Sequence, residues 1–595
     1  MAANNGIDPR FPAGQYGETT VQIDDVKLSL EGINLMLNNG FRESQEIFDK
    51  FKTYSPLMSS GWSFVTFMNA LMTYEDDKLD AAMEALKETE KLCSSKSGGF
   101  MKSFKTKVFK GSAPGKLSSE DRLQRRILLA DCQLYMAMLI FSRHEMTGIL
   151  RGGWLVRKGY KIYEKTYEEI SSIYKSRGQE MLANPGMVEK NGEATPMDPP
   201  EGVDGDIDEE IFEATSGDFN DLSDDALSRL RGGVSFGYGL LQLVISLMPP
   251  SVLKVVNLLG FCGDRQFGLA CIKQASYSRD MKAPLAVLTL LWYHTVVRPF
   301  FGLQSSTKED CVKEALKILE ENKPKYPKSA LMSFYRGRVL KLQGKLDEAL
   351  ERYNIALEEC AQQREIQLIC LYEIGWGNLM KMNWEESLLA FARLKEESKW
   401  SQSYYAFLTA MTQGALGQVE TAQEIFREVP TLSKRRNNQL EQYVTRKALK
   451  FKKTPPTQTE STLMAIEVLY LWKALPECSE DILISMLKEC EKADNEKNKK
   501  AIVTLLKGAI HKDLGNKNVA KQFFEGVLNI QPSKNQEMHA FPYACFELGS
   551  LMLEDEVTAA VGKSFILKAK ESYKDYDFEQ RLHVRIHTTL QQIRI

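Results

Sequence analysis

Five positions recur along this chain at intervals of seven, five, four and three, and that ladder restricts the fold more than any other feature of the sequence. It runs through Gly337, Gly344, Ala349, Tyr353 and Ala356, around the amphipathic stretch "GKLDEALERYNIAL". Gly508, Gly515, Ala520, Phe524 and Val527 repeat it, and Pro532 closes that copy five residues later. Ala410, Gly417, Ala422, Phe426 and Val429 match with one substitution, and Gly375, Met382, Ser387, Phe391 and Leu394 keep the small-large-large end. Gly32, Asn39, Ser44, Phe48 and Phe51 obey the same spacing, and Ala70, Asp77, Ala82, Leu86 and Thr89 follow it more weakly. Gly549 opens a last copy, whose Gly562, Ile566 and Ala569 arrive one residue late.

Small residues at the first and third positions let two antiparallel helices approach closely, and a glycine at the second tolerates the backbone of the short turn between them. The aromatic at the fourth position is expected to fill the space under the next repeat. First positions fall 38 apart twice and 35 apart once. A period near 34 with this alternation of small and large sites is the tetratricopeptide signature. The expected fold is all-α, a tetratricopeptide-repeat-like helical solenoid. A chain of 595 residues is too long for one compact core, which an elongated array accommodates.

Two segments interrupt the pattern. From Glu189 to Asp225 the chain carries fourteen acidic residues against one lysine, so residues 181–226 are read as a disordered acidic linker. Residues 234–261 carry Lys254 as their one charge, but Pro249-Pro250 cuts them into pieces shorter than the roughly twenty residues that cross a bilayer. With "PLAVLTLLWYHTVV" at 284–297, they are expected to be buried helices at the centre of the array. The resulting division is a disordered 1–24, an N-terminal helical repeat region 25–180, the linker 181–226, an apolar central region 227–303 and a C-terminal repeat array 304–595.

Long blocks such as "SFGYGLLQLVISLMPP", "NLLGFCGDRQFGL", "DMKAPLAVLTLLWYHTVVRPFF", "LYEIGWG", "WSQSYYAFLTA", "EVLYLWKALP" and "YDFEQRLHVRIHTTL" resemble the tetratricopeptide repeat protein 39 family. The similarity takes in "GINLMLNNGFRESQEIF" and "RLQRRILLADCQLYMA" and spans nearly everything from residue 25 to 595. The resemblance implies an α-helical, non-enzymatic protein, with roles in inclusion or lipid-droplet clearance or in cilium assembly.

No P-loop, GxSxG elbow or HExxH occurs, so catalysis has no candidate constellation, and no cofactor or metal is expected. His583 and His587 stand four apart in "HVRIH" without a third ligand and read as surface or packing residues. His294 reads as a buried histidine with a backbone partner, and "RGG" at 151–153 as a helix start. Ten scattered cysteines without a CxxC pair read as buried thiols in the cytoplasm. Lys434, Arg435, Arg436, Arg446, Lys447, Lys450, Lys452 and Lys453 form a basic cluster, read as a solvated helix or as a patch for anionic lipid, an acidic partner or the acidic linker. A formal charge of -2 and the lack of interleaved aromatics argue against nucleic acid.

The first helix of each hairpin is expected to line a concave groove. Its candidate partner-binding residues are Phe334, Arg338 and Lys341, then Tyr372, Trp376 and Leu379, then Phe407 and Met411. The Lys/Asn clamp for chaperone C-terminal tails is missing there. An aromatic and methionine lining suits an amphipathic helix of a protein partner, and the alternative is that the chain's own helices fill the groove. A candidate linear motif lies in "DIDEEIFEATSGD", where Asp206, Asp208, Glu209 and Glu210 lead into Phe212, Glu213 and Ala214. It resembles the two-phenylalanines-in-an-acidic-tract motif that docks endoplasmic-reticulum membrane receptors, with Ile211 in place of the first aromatic. The function expected is an interaction scaffold; the alternative is a peripheral membrane or lipid-associated protein using its central helices.

Overall fold

The computed structural model of the protein describes residues 23–94, 117–143, 146–183, 219–248, 263–301, 308–434, 438–493, 499–533 and 537–593. The first two ladders fold as α1 (Asp25–Leu37) with α2 (Phe41–Phe51) and α3 (Pro56–Thr73) with α4 (Asp76–Ser94). A longer hairpin follows, α5 (Ser119–Ser142) and α6 (Met146–Ser176). The apolar centre supplies α7 (Asp224–Ser246), α8 (Arg265–Ser276), α9 (Ala283–Trp292), a π turn at Tyr293–Val297 and the short α10 (Arg298–Phe301). After α11 (Lys308–Asn322) come three ladder hairpins: α12 (Ala330–Leu342) with α13 (Leu346–Glu359), α14 (Arg364–Met380) with α15 (Trp384–Glu397), and α16 (Gln402–Ala415) with α17 (Val419–Leu432). Three further helices intervene, α18 (Gln439–Leu449), α19 (Gln458–Leu471) and α20 (Glu480–Lys492). The chain ends with α21 (Lys500–Asp513), α22 (Lys517–Leu528), α23 (Ala540–Met552), α24 (Ala559–Glu571) and α25 (Glu579–Ile593).

The ladder has a direct geometric meaning. A Cβ placed on the first-position glycine would lie 2.6 Å from the Phe48 ring at Gly32, 2.6 Å from Tyr353 at Gly337, 2.6 Å from Phe391 at Gly375 and 2.7 Å from Phe524 at Gly508. The fourth-position aromatic therefore seats on its own hairpin's glycine, not only under the next repeat. Phe48 does both, because Gly61 of the next hairpin meets the other edge of its ring. At the second position Gly344, Gly417 and Gly515 have φ of +78°, +87° and +82°. Asn39 and Met382 adopt the same left-handed turn at φ +69° and +57°, so the backbone requirement holds even where glycine is absent. Third-position Ala349, Ala422, Ala520 and Ser387 are buried, and Ser387 donates to the Gly375 carbonyl at 3.0 Å. Pro532 is exposed, just beyond α22.

The halves of the chain are joined. Asn39 donates to the Lys328 carbonyl at 2.6 Å and accepts from the Ala330 backbone at 3.0 Å. Tyr326 donates to Asn34 at 2.8 Å, and the Trp400 indole to the Leu71 carbonyl at 3.0 Å. One hydrophobic core runs from Ile33 to Leu342 and so crosses the compositional boundary at 303/304. A second runs from Leu346 to Ile586. Helix α7 starts at Asp224, capped by Ser223, so the last residues given to the acidic linker belong to the fold. The rest of 1–24 and most of the linker, including the candidate motif at Glu210, Phe212, Glu213 and Ala214, lie outside the described residues.

The described central helices α7, α8 and α9 are largely buried among other helices, whereas residues 249–261 of the first apolar stretch lie outside the described residues. Leu243 and Ile245 have no exposed surface, and Tyr238 packs against Tyr160, Tyr163 and Tyr167 of α6. Among the described residues no helix is long and apolar enough to cross a membrane. Gly152 and Gly153 lie inside α6 rather than at its start, and Gly152 takes the Phe141 ring.

Candidate functional site: the inner face of the array

Of the residues predicted to line a groove, Trp376, Leu379, Phe407 and Met411 belong to one hydrophobic core and Phe334 to another. Phe334, Trp376, Leu379, Phe407 and Met411 are buried, and Tyr372 is half-buried. Phe407 packs on Phe426 of its own hairpin and on Tyr443 of α18, with ring centroids 5.8 and 6.0 Å apart. Trp376 stacks on Trp472 at 5.9 Å, and the opposing Tyr404 ring stacks on the same indole at 5.8 Å and 8°. Trp472 follows directly on α19. Trp472 and Tyr443, from outside the ladder hairpins, thus pack on two of the residues expected to receive a partner. The stretch "EVLYLWK" gave no local sign that its tryptophan would reach across to Trp376.

Arg338 and Lys341 are equally occupied. Both hold Glu373, Lys341 at 2.8 Å. Burial opposes ionisation of Glu373, yet the two cations outweigh it and hold the carboxyl down to about 2. The same construction recurs at the far end of the array. Lys512 holds Glu547 at 2.5 Å, and Arg585 of α25 reaches the same carboxylate at 2.9 Å. In both cases the lysine stands four residues after a first-position glycine (Gly337, Gly508), and the acid two residues before the next (Gly375, Gly549). This repeated lysine-to-glutamate seam was present in the sequence, but the ladder, built on small and aromatic residues, passes over it.

The basic cluster divides. Arg446 and Lys447 of α18, with the exposed Lys450 just after it, pair with Glu467 of α19, Glu537 before α23 and Asp577 before α25. Lys447 lies 2.6 Å from Glu467 and 2.8 Å from Glu537, and is almost fully buried with both. Arg446 pairs with Glu537 at 2.8 Å and with Asp577, and Lys450 pairs with Glu537. The acids that receive these cations are thus within the folded array, at sequence separations of 20 to 131 residues. Lys434, Lys452 and Lys453 remain exposed, whereas Arg435 and Arg436 lie outside the described residues. The His539 ring, with no exposed surface, sits 3.4 Å from Glu467 and 3.5 Å from Asp577. Glu467, Glu537 and His539 bring ligand-type atoms within 4.8 Å of one another. Lys447 already bridges the two carboxylates, and three cations face three acids, so the chemistry is that of a neutralised ion-pair network.

The remaining titratable candidates are structural. His294 stacks edge-on against Tyr293, and burial, helped by Arg298, pushes its imidazole down to about 4. Its nearest polar side chain is Arg298 at 3.5 Å, in place of the backbone partner expected. His583 is half-buried 3.8 Å from Glu579, and His587 is exposed. The nine described cysteines are free thiols.

Comparison with known proteins completes the site. Residues 30–514 match the family model described as Iml2/Tetratricopeptide repeat protein 39. Among solved structures, the human IFIT1 dimer with m7Gppp-AAAA is similar at 13% identity, covering 85% of this chain and 95% of that one, with a TM-score of 0.32. Yeast Tom70 is similar at 10% identity, covering 90% of this chain and 98% of that one, with a TM-score of 0.23. The family match ends at residue 514, before Glu547, Asp577 and Arg585.

Proposed function

The chain belongs to the Iml2/tetratricopeptide repeat protein 39 family, and we propose that it is a non-enzymatic scaffold that binds protein partners through surfaces outside its filled inner face. The observation that carries this reading is the occupancy of that face: its aromatics stack on Trp472 and Tyr443, and its cations are paired to Glu373. With Arg338 and Lys341 engaged in this way, chaperone C-terminal tails find no free clamp at the ladder positions. Large apolar side chains stand exposed elsewhere, among them Met138 and Phe141 of α5 and Leu150 of α6. Aromatic and methionine side chains are enriched at protein interfaces. Burial of the central helices works against the lipid-associated alternative.

The test is proximity labelling of the full chain in cells, comparing wild type with a Met138→Ser/Phe141→Ser/Leu150→Ser variant whose fold is checked by its melting curve. Loss of a discrete set of labelled proteins from a folded variant is expected. An unchanged set would remove this surface from the proposal. Free cysteines throughout the described chain support a reducing, cytoplasmic setting. Cilium assembly and inclusion or lipid-droplet handling are the finer roles that the family resemblance suggests for such a scaffold. A second partner contact is proposed at Phe212, with Glu210, Glu213 and Ala214 beside it. Titration of the 206–218 peptide and its Phe212→Ala form against an isolated receptor domain tests it, and equal or absent binding by both overturns it.

A further inference from the structure

Two buried thiols meet close to where the halves of the chain are joined. Cys360 follows directly on α13 and Cys370 lies in α14, both in the small core that holds Phe334, Tyr353 and Ile374. The Cys370 thiol donates to Cys360 Sγ, and the Cys360 thiol donates to the Leu357 carbonyl at 3.5 Å. A polar clasp keeps the two in register. The side-chain amide of Gln367 in α14 donates to the carbonyls of Cys360 and Ala361 at 3.2 and 2.8 Å, and its oxygen accepts from Arg393 at 2.8 Å. Cys370 stands three residues after Gln367 and so neighbours it on the helix, which sets its sulfur beside the loop that Gln367 holds. That loop surfaces at once, since Ala361 and Gln362 are exposed. Its end touches the N-terminal hairpins: Gln363 donates to the Asn39 carbonyl, and Arg364 pairs with Glu75 at 3.4 Å.

Two thiols in contact can complete a reaction that one cannot, because the second sulfur displaces the oxygen that an oxidant leaves on the first. The two are also unequal. Burial pushes the Cys93 and Cys271 thiols up to about 12, whereas the hydrogen bond from Cys370 holds Cys360 below its ordinary value. We propose that Cys360 and Cys370 form a reversible oxidation site for hydroperoxides, with Cys360 as the attacking sulfur and Cys370 as the resolving one. The Cys360 thiolate attacks one oxygen of hydrogen peroxide and the O–O bond breaks. A sulfenic acid forms, and the departing hydroxide takes up the proton that Cys360 had released and becomes water. The Cys370 sulfur then attacks the Cys360 sulfur: the S–S bond forms, the S–O bond breaks, and the hydroxyl leaves with the Cys370 proton as a second water. Two thiols and one peroxide thus give one disulfide and two waters, each sulfur losing one electron and the peroxide gaining two. A thiol reductant reverses the step, as for the transient disulfides of reducing compartments. The bond ties the end of α13 to α14, and so one hairpin to the next, independently of the scaffold reading.

The test is a peptide map of the reduced, folded full-length protein after exposure to hydrogen peroxide, with remaining thiols blocked by iodoacetamide and trypsin digestion without reductant. Trypsin cuts after Arg352, Arg364 and Lys381, so the two cysteines fall in separate peptides. The expected product is peptide 353–364 joined to peptide 365–381, lighter than their sum by two hydrogens, released by dithiothreitol and dominant over links among the other cysteines. Cys370→Ser is expected to abolish this link and to leave a Cys360 sulfenic acid that dimedone captures. Cys360→Ser is expected to leave Cys370 unoxidised. Absence of the linked pair from folded, peroxide-treated protein overturns the proposal, as does a link that forms only after unfolding in urea. Oxidation of Cys370 in Cys360→Ser overturns the assigned roles. If a serine variant fails to fold, the wild-type map with and without urea decides.

Discussion

Hairpin α12–α13 and central helix α7 solve the same packing problem with partners at very different distances along the chain. In α12 the seat at Gly337 receives Tyr353, sixteen residues later and in the same hairpin. In α7 the seat at Gly237 receives Tyr163 from α6, and Gly239 meets the Cys271 side chain at 2.7 Å and the Gly268 carbonyl at 2.8 Å. A local seat leaves a fixed interval in the sequence. A distant seat leaves only a glycine in an apolar run, which is why "VSFGYGLLQLV" invites a membrane reading that its burial between α6 and α8 does not support. The inner face extends the contrast, since Lys447 meets Glu537 from ninety residues away.

The largest expected effect breaks the long-range side of that contrast. Glu537→Ala leaves Lys447 buried with half its counter-charge and exposes Arg446 to the same loss, so the array should lose about 3–5 kcal/mol of stability in denaturant melts. A loss under about 1 kcal/mol would mean that closure by this network is incidental. Next, the two glycine seats can be compared directly. Gly239→Ala drives a methyl into backbone and should cost about 3 kcal/mol, whereas at Gly337 the Tyr353 ring can shift and the same change should cost about 1–2 kcal/mol. Equal costs would erase the distinction.

Acid should act on the charged seams. The Glu373 carboxyl has a folded value of about 2 against 4.5 when unperturbed, so its contribution is full above 4.5 and is lost as pH falls toward 2. That shift corresponds to about 3 kcal/mol. Glu537 and Glu547 shift in the same direction, each against the pull of burial, through Lys447 and Arg446 and through Lys512 and Arg585. Asp513, pushed up to about 6 mainly by burial, works oppositely and favours folding as pH falls through that value. Melting midpoints should therefore drop mainly below pH 4.5, and Glu373→Gln should flatten that limb.

Smaller effects sharpen the local side. Ala349→Leu and Ala520→Leu should each cost roughly 1–3 kcal/mol, read by circular dichroism melts, because each methyl-sized site is closed by its partner helix. Gly344→Ala should cost about 1 kcal/mol, since φ there is +78° while the nearest obstacle, the Glu477 carbonyl, is 3.7 Å from a new Cβ. Unchanged midpoints for all three would mean that the intervals mark composition rather than contacts.

The sequence by itself determined the hairpins, because each of their defining contacts closes within about twenty residues and so appears as a spacing. It also predicted Tyr372, Trp376, Phe407 and Met411 as the lining of one face. What covers that face was settled by tertiary structure alone. Trp472 and Tyr443 reach it from helices whose own sequence is satisfied by several packings, and their choice depends on contacts summed over the whole array. The basic cluster shows the limit most plainly: eight like charges in one stretch read as a solvated surface, until Glu467, Glu537 and Asp577 arrive from three other places in the chain to pair with three of them and bury Lys447.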